Sequence, residues 1–304
     1  MIDTKVDRAT YLGSHDIAAI MGDHPFLTKM GVFLNKTGKQ QDQDDKPWLY
    51  WGNELQRPIL KKYCEKEGLH SFAGERFKRH DKYPCIGSTP DTTIADLKKS
   101  VDAKNVRYKD DQWGEEYTDE VPRYVLWQAH CHMTTWDHDV CDIPVLFSGC
   151  DHQIFRIERN EDISEAIIEI AVEFWRNHVL ANEPPDFDGS EATYRYLRKK
   201  FPSHTDELRP ATEAETALIE AMQISDQLIK DTENASATMK QKLQGFIGTS
   251  MGLTSEFGKV TWKEQKGATR IDSKLVKALY PEVFQECSKT GDPVRVFRKA
   301  YAKK

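Results

Sequence analysis

The chain has 304 residues, room for one large or two ordinary domains. It is 38% hydrophobic and 30% charged, and no apolar run approaches the ~18 residues that span a bilayer, so no membrane-spanning helix is expected. The formal charge of −6 excludes a uniformly basic nucleic-acid coat but leaves room for a local basic channel.

The first residues, Met1-Ile2-Asp3-Thr4-Lys5, have neither an apolar core nor a small-residue cleavage site, and a cytoplasmic location is expected. Gly13-Ser14-His15-Asp16-Ile17-Ala18-Ala19 reads as a helix start. Ser14 or Asp16 is placed to cap it, with Ile17, Ala18, Ile20 and Met21 facing inward. A Ser at a helix start with Arg8 nearby is also suited to a phosphate. A second helix is expected over Lys29–Thr37, then a polar loop over residues 39–47. Trp51-Gly52-Asn53-Glu54 opens a helix to about Glu67, with Leu55, Ile59, Leu60 and Tyr63 as its apolar stripe. Glu54 and Gln56 fall on different faces of that helix, because two residues turn it by about 200°.

The informative stretch is Gly87–Tyr108, which holds the pattern P-D-x(10)-D-x-K in Asp91, Asp102 and Lys104. A strand over Lys82–Ser88 and a partner over Ser100–Tyr108 are expected. Strand alternation then puts Asp102 and Lys104 on one face and Val101 and Ala103 on the other, with Asp91 within reach of the first pair. Two converging carboxylates repel unless a cation lies between them. Oxygen ligands on a rigid sheet suit Mg²⁺ or Mn²⁺, and an ammonium alongside fits metal-assisted phosphodiester hydrolysis. The same pattern also occurs on solvated surface strands, and both readings stay open at this point.

An acidic loop is expected over Tyr108–Pro122, and a helix over Arg123–Thr135 carrying Tyr124, Gln128, His130 and His132. Strands over Cys141–Phe147 and Gln153–Arg159 close the sheet, and Ile163–Leu180 is a strongly amphipathic helix. Strands and helices in this order predict an α/β fold with a mixed central sheet. The six Cys include no C-x-x-C pair, and residues 130–152 hold no zinc or iron–sulfur spacing. Reduced, packed thiols and surface imidazoles are expected. After Pro184-Pro185 and a basic segment at 191–201, a smaller module begins near residue 203. It should comprise a long helix or helical hairpin over Ala211–Gly245, a β-hairpin over Gly248–Lys263, a helix over Ser273–Tyr280 and a terminal basic strand over Val294–Tyr301.

Five ordered motifs resemble the YqaJ-type viral recombinase family, relatives of the phage lambda exonuclease among the PD-(D/E)xK nucleases. They are Gly13-Ser14-His15-Asp16-Ile17-Ala18-Ala19, Trp51-Gly52-Asn53, Thr89-Pro90-Asp91 with Asp102-Ala103-Lys104, Pro122-Arg123-Tyr124 with Gln128, and Phe174-Trp175 with Pro184-Pro185 and Asp188-Gly189. The resemblance runs roughly from Arg8 to Pro202. It implies a restriction-endonuclease-like core in residues 1–202 and a C-terminal module of unassigned role in 203–304. It implies a Mg²⁺-dependent exonuclease, with Mn²⁺ as a substitute, that degrades linear double-stranded DNA from its 5′ end. The 3′ single strands would pass to a single-strand annealing recombinase, and relatives of this kind form a ring-shaped trimer. Carried over residue by residue, Asp91, Asp102 and the Ala103 carbonyl hold the ion. Lys104 positions the attacking water, Gln128 supports it, and Arg8, Ser14 and Thr89 hold a 5′ phosphate.

One position departs from the family. Gln56 stands where it usually has Glu, so the site works with two acids, recruits Glu54, or is weakened. An endonuclease on the same fold and a DNA-end-binding scaffold without turnover are the alternatives.

Overall fold

The computed structural model describes residues 7–39, 47–72, 74–289, 291 and 295–301, with side chains from position 50 onward in the helix that begins at Pro47. The chain divides into two compact units, Met1–Lys199 and Lys200–Lys304. In the first, helices α1 (Ser14–Ile20), α2 (Lys29–Lys36) and α3 (Pro47–Glu67) precede a series of short strands. Strands β1 (Lys78–Arg79) and β2 (Gly87–Ser88) form a separate two-stranded ribbon. Strands β3 (Thr92–Ile94), β4 (Lys99–Val101) and β5 (Lys104–Val106) lead to helix α4 (Arg123–Trp136). Then come β6 (Val140–Phe147), β7 (Asp151–Glu158), α5 (Glu161–Phe174) and α6 (Glu191–Lys200). The main sheet is mixed: β3 pairs antiparallel with β4, β4 and β5 both run parallel to β6, and β7 returns antiparallel.

Period-two alternation assigns the sheet's faces. Cys141, Ile143, Val145 and Phe147 on β6 and Phe155 and Ile157 on β7 pack with Val125, Ala129 and Met133 of α4. On the other face, Val101 and Ile154 pack with Leu60, Tyr63 and Cys64 of α3. A third cluster joins α1 and α2 to α4 and α5 through Ile17, Phe33, Cys131, Ile167 and Phe174. This is the α/β core with a mixed, helix-flanked sheet that the sequence predicts.

Several local expectations are corrected. Lys82–Ser88 is not one strand: only Gly87 and Ser88 are extended in a ladder, and their partners are Lys78 and Arg79. Lys99–Val101 pairs instead with Thr92–Ile94, so the central hairpin is tighter than expected. Neither Ser14 nor Asp16 is the N-cap of α1. Gly13 takes that place, and its N–H is accepted by Asp16 Oδ2 at 2.8 Å. Most of the expected polar loop at 39–47 lies outside the described residues, and Pro47 already belongs to α3.

In the second unit, α7 (Glu213–Ile247) is one continuous helix rather than a hairpin. It opens on a capping box in which Thr212 accepts from Glu215 N–H and Glu215 accepts from Thr212 N–H. The hairpin of β8 (Gly252–Ser255) and β9 (Gly258–Thr261) follows, then α8 (Ser273–Leu279) and α9 (Pro281–Cys287). Residues 295–301 form no strand; Val294 and the residues after Tyr301 lie outside the described residues. Among the described residues no helix is long and apolar enough to cross a membrane.

The face of the sheet toward α3 carries a buried ionic knot. Asp142, wholly buried on β6, accepts from Tyr63 Oη at 2.8 Å, from Lys99 Nζ at 2.7 Å and from Arg156 Nε and Nη2 at 2.8 Å each. Arg156 also reaches Glu67 at 2.7 Å, so the knot ties the C-terminal half of α3 to the sheet. Removing the acid strands two cations near the core, which costs more than the knot's net worth. Asp142→Ala should therefore lower unfolding stability by about 3 kcal/mol and Tyr63→Phe by about 1 kcal/mol, as read from urea midpoints. Equal, small losses in both variants would contradict this account of the knot.

Candidate active site

The site grows from a gap in the β-ladder. Val101 pairs with Asp142 and Lys104 with Val145, so β4 and β5 keep one offset along β6 across the break between them. Asp102 N–H donates to Asp142 O at 3.0 Å, and the next donor on β6 would be residue 144. That residue is Pro144, which has no N–H, and the ladder lapses there. One residue on, Ala103 N–H points away from β6 and donates to Asp91 Oδ2 at 2.7 Å. In extended backbone the N–H and C=O of one residue share a side, so the Ala103 carbonyl faces Asp91 as well. Asp91 is thereby held one residue from Asp102.

Asp102 and Lys104 lie on the α4 face, opposite Val101. Lys104 Nζ is 2.6 Å from Asp102 Oδ2 and donates to Gln128 Oε1 at 2.8 Å. The Asp102 contact is close but poorly directed, so Oδ2 is buried without a well-aligned donor. Burial alone would lower the Lys104 pKa, but the carboxylates of Asp102 and then Asp91 outweigh it and raise it above its ordinary value. Asp102 is the mirror case: burial would raise its pKa, but the Lys104 ammonium, then His132, hold it below its usual range. Asp91 goes the other way. Burial first, and then the Asp102 charge, push it up to about 7. The pair therefore carries one secure negative charge and one that titrates near neutrality.

Helix α4 lines this row with polar groups. Gln128 and His132 are one turn apart on one face, and both are buried. Gln128 Nε2 donates to His15 Nδ1 at 3.0 Å, which brings α1 into the site. His24, with its ring centroid 5.7 Å from that of His15, sits beside it. No sequence motif assigns a role to His15, His24 or His132. The expectation of surface imidazoles is corrected for His130, His132 and His138, all buried, because the helix and the turn after it pack directly on the sheet. The tight i, i+4 spacing of Gln128 and His132 was the available signal for His132. His15 and His24 meet the site only through long-range packing of α1 on α4.

The residues proposed for a 5′ phosphate divide. Leu12 and Ile86 form a parallel bridge, with Leu12 N–H on Cys85 O at 2.7 Å and Gly87 N–H on Leu12 O at 3.0 Å. This brings the segment of Ser14 beside that of Thr89. A Cβ at Gly87 would come within 2.9 Å of both Phe77 and Tyr11, so the approach requires glycine. Thr89 is exposed, and Ser14 is half-buried with no hydrogen-bond partner among the described residues. Arg8 is exposed, and its guanidinium interacts with Tyr11. Asp16 is committed to structure, pairing with Lys36 Nζ at 2.6 Å besides accepting from Gly13.

Glu54 is exposed and does not swing into the cluster. Gln56 Nε2 instead donates to Glu75 Oε1 at 2.9 Å. Glu75 is one of the charges that raise the Asp91 pKa, so an acid does stand at the edge of the site, on a segment the motif spacing did not single out.

Residues 5–139, a little under half of the chain, match the model of the YqaJ-like viral recombinase domain. An uncharacterized protein YqaJ of Bacillus subtilis (strain 168) is 23% identical over 297 residues, covering 93% of this chain and 89% of its own. Among solved structures, the alkaline exonuclease LHK-Exo from Laribacter hongkongensis is similar at 14% identity. Its TM-score is 0.42, over 64% of this chain and 94% of that one. A phage related exonuclease from Haemophilus somnus 129PT is similar at 14% identity and a TM-score of 0.42, over 57% and 96%.

The buried imidazoles set a pH dependence. Burial pushes His130 and His132 down to about 4, so the folded protein keeps them neutral where the unfolded chain, near 6.5, takes up protons. Their contribution to stability is therefore lost as pH falls from about 6.5 to 4. Asp91, raised to about 7, contributes in the opposite sense over much of the same window, and two groups outweigh one. Urea midpoints should be lower at pH 5 than at pH 7; an unchanged or higher midpoint at pH 5 would contradict this assignment.

Proposed function

We propose that this protein is a divalent-cation-dependent exonuclease acting on linear double-stranded DNA. It removes nucleotides from the 5′ end and leaves 3′ single strands for recombination by strand annealing. The observation that supports this best is the convergence of Asp91, Asp102 and Lys104 at the ladder gap, within the stretch that matches the YqaJ-like viral recombinase domain.

The donor set fits a hard cation. Asp102 Oδ2 lacks a well-aligned donor, Asp91 is destabilised by its neighbour's charge, and both offer oxygen. Among the described residues no group of three or more His, Cys, Asp and Glu side chains is arranged for a metal, so backbone and water oxygens would complete the shell. Asp91, Asp102 and the Ala103 carbonyl would hold Mg²⁺, with Mn²⁺ as a substitute. When bound, the ion supplies Lewis-acid charge for the scissile phosphate.

Lys104, kept as an ammonium by the two carboxylates, is unsuited to general-base work. It positions the water and neutralises developing charge on the phosphate. Gln128 fixes the amine through its 2.8 Å hydrogen bond. Arg8, Ser14 and Thr89 hold a terminal 5′ phosphate, a reading supported by the adjacency of the Ser14 and Thr89 segments. A ring-shaped homotrimer, a single-strand annealing recombinase as partner and a place in the cytoplasm of a bacterial host complete the proposal; they rest on the family resemblance.

The test is degradation of end-labelled, 5′-phosphorylated linear duplex in Mg²⁺. The wild-type protein should release label from the 5′ end and leave closed circular DNA intact. Lys104→Ala should reduce turnover by about 10²–10³-fold with DNA affinity retained. Full turnover in that variant, or cutting of closed circles, would overturn the assignment.

A further inference from the structure

We propose that His15 and His24 form a pair of neutral N–H donors that grips phosphate oxygens of the bound DNA strand beside the Asp91–Asp102–Lys104 cluster. This deepens the function proposed above and rests on it.

The tautomers follow from the partners. His24 Nδ1 accepts two backbone N–H groups, from Phe26 at 3.1 Å and Leu27 at 2.9 Å. A backbone N–H can only donate, so Nδ1 bears no proton and Nε2 does. For His15 the reasoning passes through Gln128. Its Oε1 accepts from Lys104 Nζ, which orients the amide, and its Nε2 then donates to His15 Nδ1. His15 is therefore also protonated at Nε2. Neither Nε2 has a hydrogen-bond partner among the described residues. Two donors thus stand unused, their rings 5.7 Å apart at an interplanar angle of 64° and within electrostatic reach of Lys104.

This arrangement rejects some ligands and suits others. A metal ion needs a lone pair, and on both rings the lone pair at Nδ1 is occupied while Nε2 carries hydrogen. A cationic ligand would meet the Lys104 ammonium. What the pair offers is hydrogen bonds to an acceptor-rich anion, and phosphate oxygens are that. Both rings stay uncharged near neutrality. Burial, then the Lys104 charge, push the His15 pKa down to about 3. Partial burial also lowers that of His24, against the pull of Asp16. The pair therefore binds phosphate without adding charge to a site whose ionic balance is already set by two acids and one amine. A purely structural role would leave both Nε2 groups idle and would not require the two rings to meet beside Gln128 and Lys104.

The test separates donor from scaffold. Asn places its amide near the Nδ1 position and can still accept from Gln128 or from the Phe26 and Leu27 N–H groups, but it has nothing at Nε2. Gln reaches the Nε2 position and keeps a donor there. With divalent cation withheld, the double variant His15→Asn/His24→Asn should bind duplex DNA at least tenfold more weakly than wild type. The double Gln variant should recover most of that loss, and thermal melting should be unchanged in the Asn variant. Equal loss on 5′-phosphorylated and 5′-hydroxyl duplex assigns the pair to internal phosphodiesters; loss confined to the former assigns it to the terminal phosphate. Wild-type affinity in the double Asn variant would overturn the proposal.

A second measurement stands apart from DNA processing. In protein labelled with ¹⁵N-histidine, both rings should show the Nε2–H tautomer, and inorganic phosphate should shift those two resonances. An Nδ1–H tautomer in either ring, or no response to phosphate, would sink the pair even if the protein degrades DNA. A wild-type protein inert toward DNA whose two rings respond to phosphate would sink the nuclease reading and leave the pair standing.

Discussion

The proposed chemistry depends on a hydrogen bond from Ala103 N–H to the carboxylate of Asp91. Side chains from two strands would not otherwise be forced within reach of each other while both carry charge. Pro144 enables the arrangement by leaving β6 without a donor opposite the break, so the backbone at 102–103 is free of part of its ladder duty. The cost of a missing ladder bond is small beside what it creates: an acid pinned next to another acid, with a carbonyl on the same side.

Charge balance then decides what the cluster can do. Two carboxylates and one ammonium leave a net negative charge in a half-buried place, and the price is visible in the raised Asp91 pKa. Lys104 cannot shed its proton while Asp102 is 2.6 Å away, so its service is electrostatic. Around it runs a chain of fixed hydrogen bonds, Lys104 to Gln128 to His15, that carries the orientation of the amine across α4 to α1. The far face of the same sheet carries Asp142 with its own two cations, so strand alternation separates that structural ion knot from the Asp102–Lys104 cluster on the opposite face.

Much of this was legible in the sequence where local rules apply. Strand alternation placed Asp102 and Lys104 on one face and Val101 on the other, and helical periodicity found α4 to within one residue; the helix expected over Ile163–Leu180 is α5, Glu161–Phe174, followed by a π-helical turn over Trp175–Leu180. Pairing was not legible: Thr92–Ile94 is three residues long, and nothing local marks it as the partner of Lys99–Val101. The ribbon of Gly87–Ser88 misled for the same reason, since an extended run of mixed residues does not name its neighbour. His15, His24 and Glu75 escaped notice because they are adjacent to the site only after α1 docks on α4 and Gln56 reaches across nineteen positions to Glu75. Gln56 looked like a lost acid in sequence; in space its amide holds one. The terminal basic run after Val294 reads as a strand only by alternation, and, with no partner strand among the described residues, residues 295–301 stay irregular.

The most direct test of the account is Mn²⁺ binding followed by electron paramagnetic resonance, in wild type and in Asp91→Asn, across pH. If the two aspartates converge as described, wild-type protein should take up the ion with an affinity that rises as pH climbs through about 7, as Asp91 loses its proton. Asp91→Asn should bind weakly and without that rise. Strong, pH-independent binding that survives the substitution would contradict the shared site and, with it, the chemistry built on it.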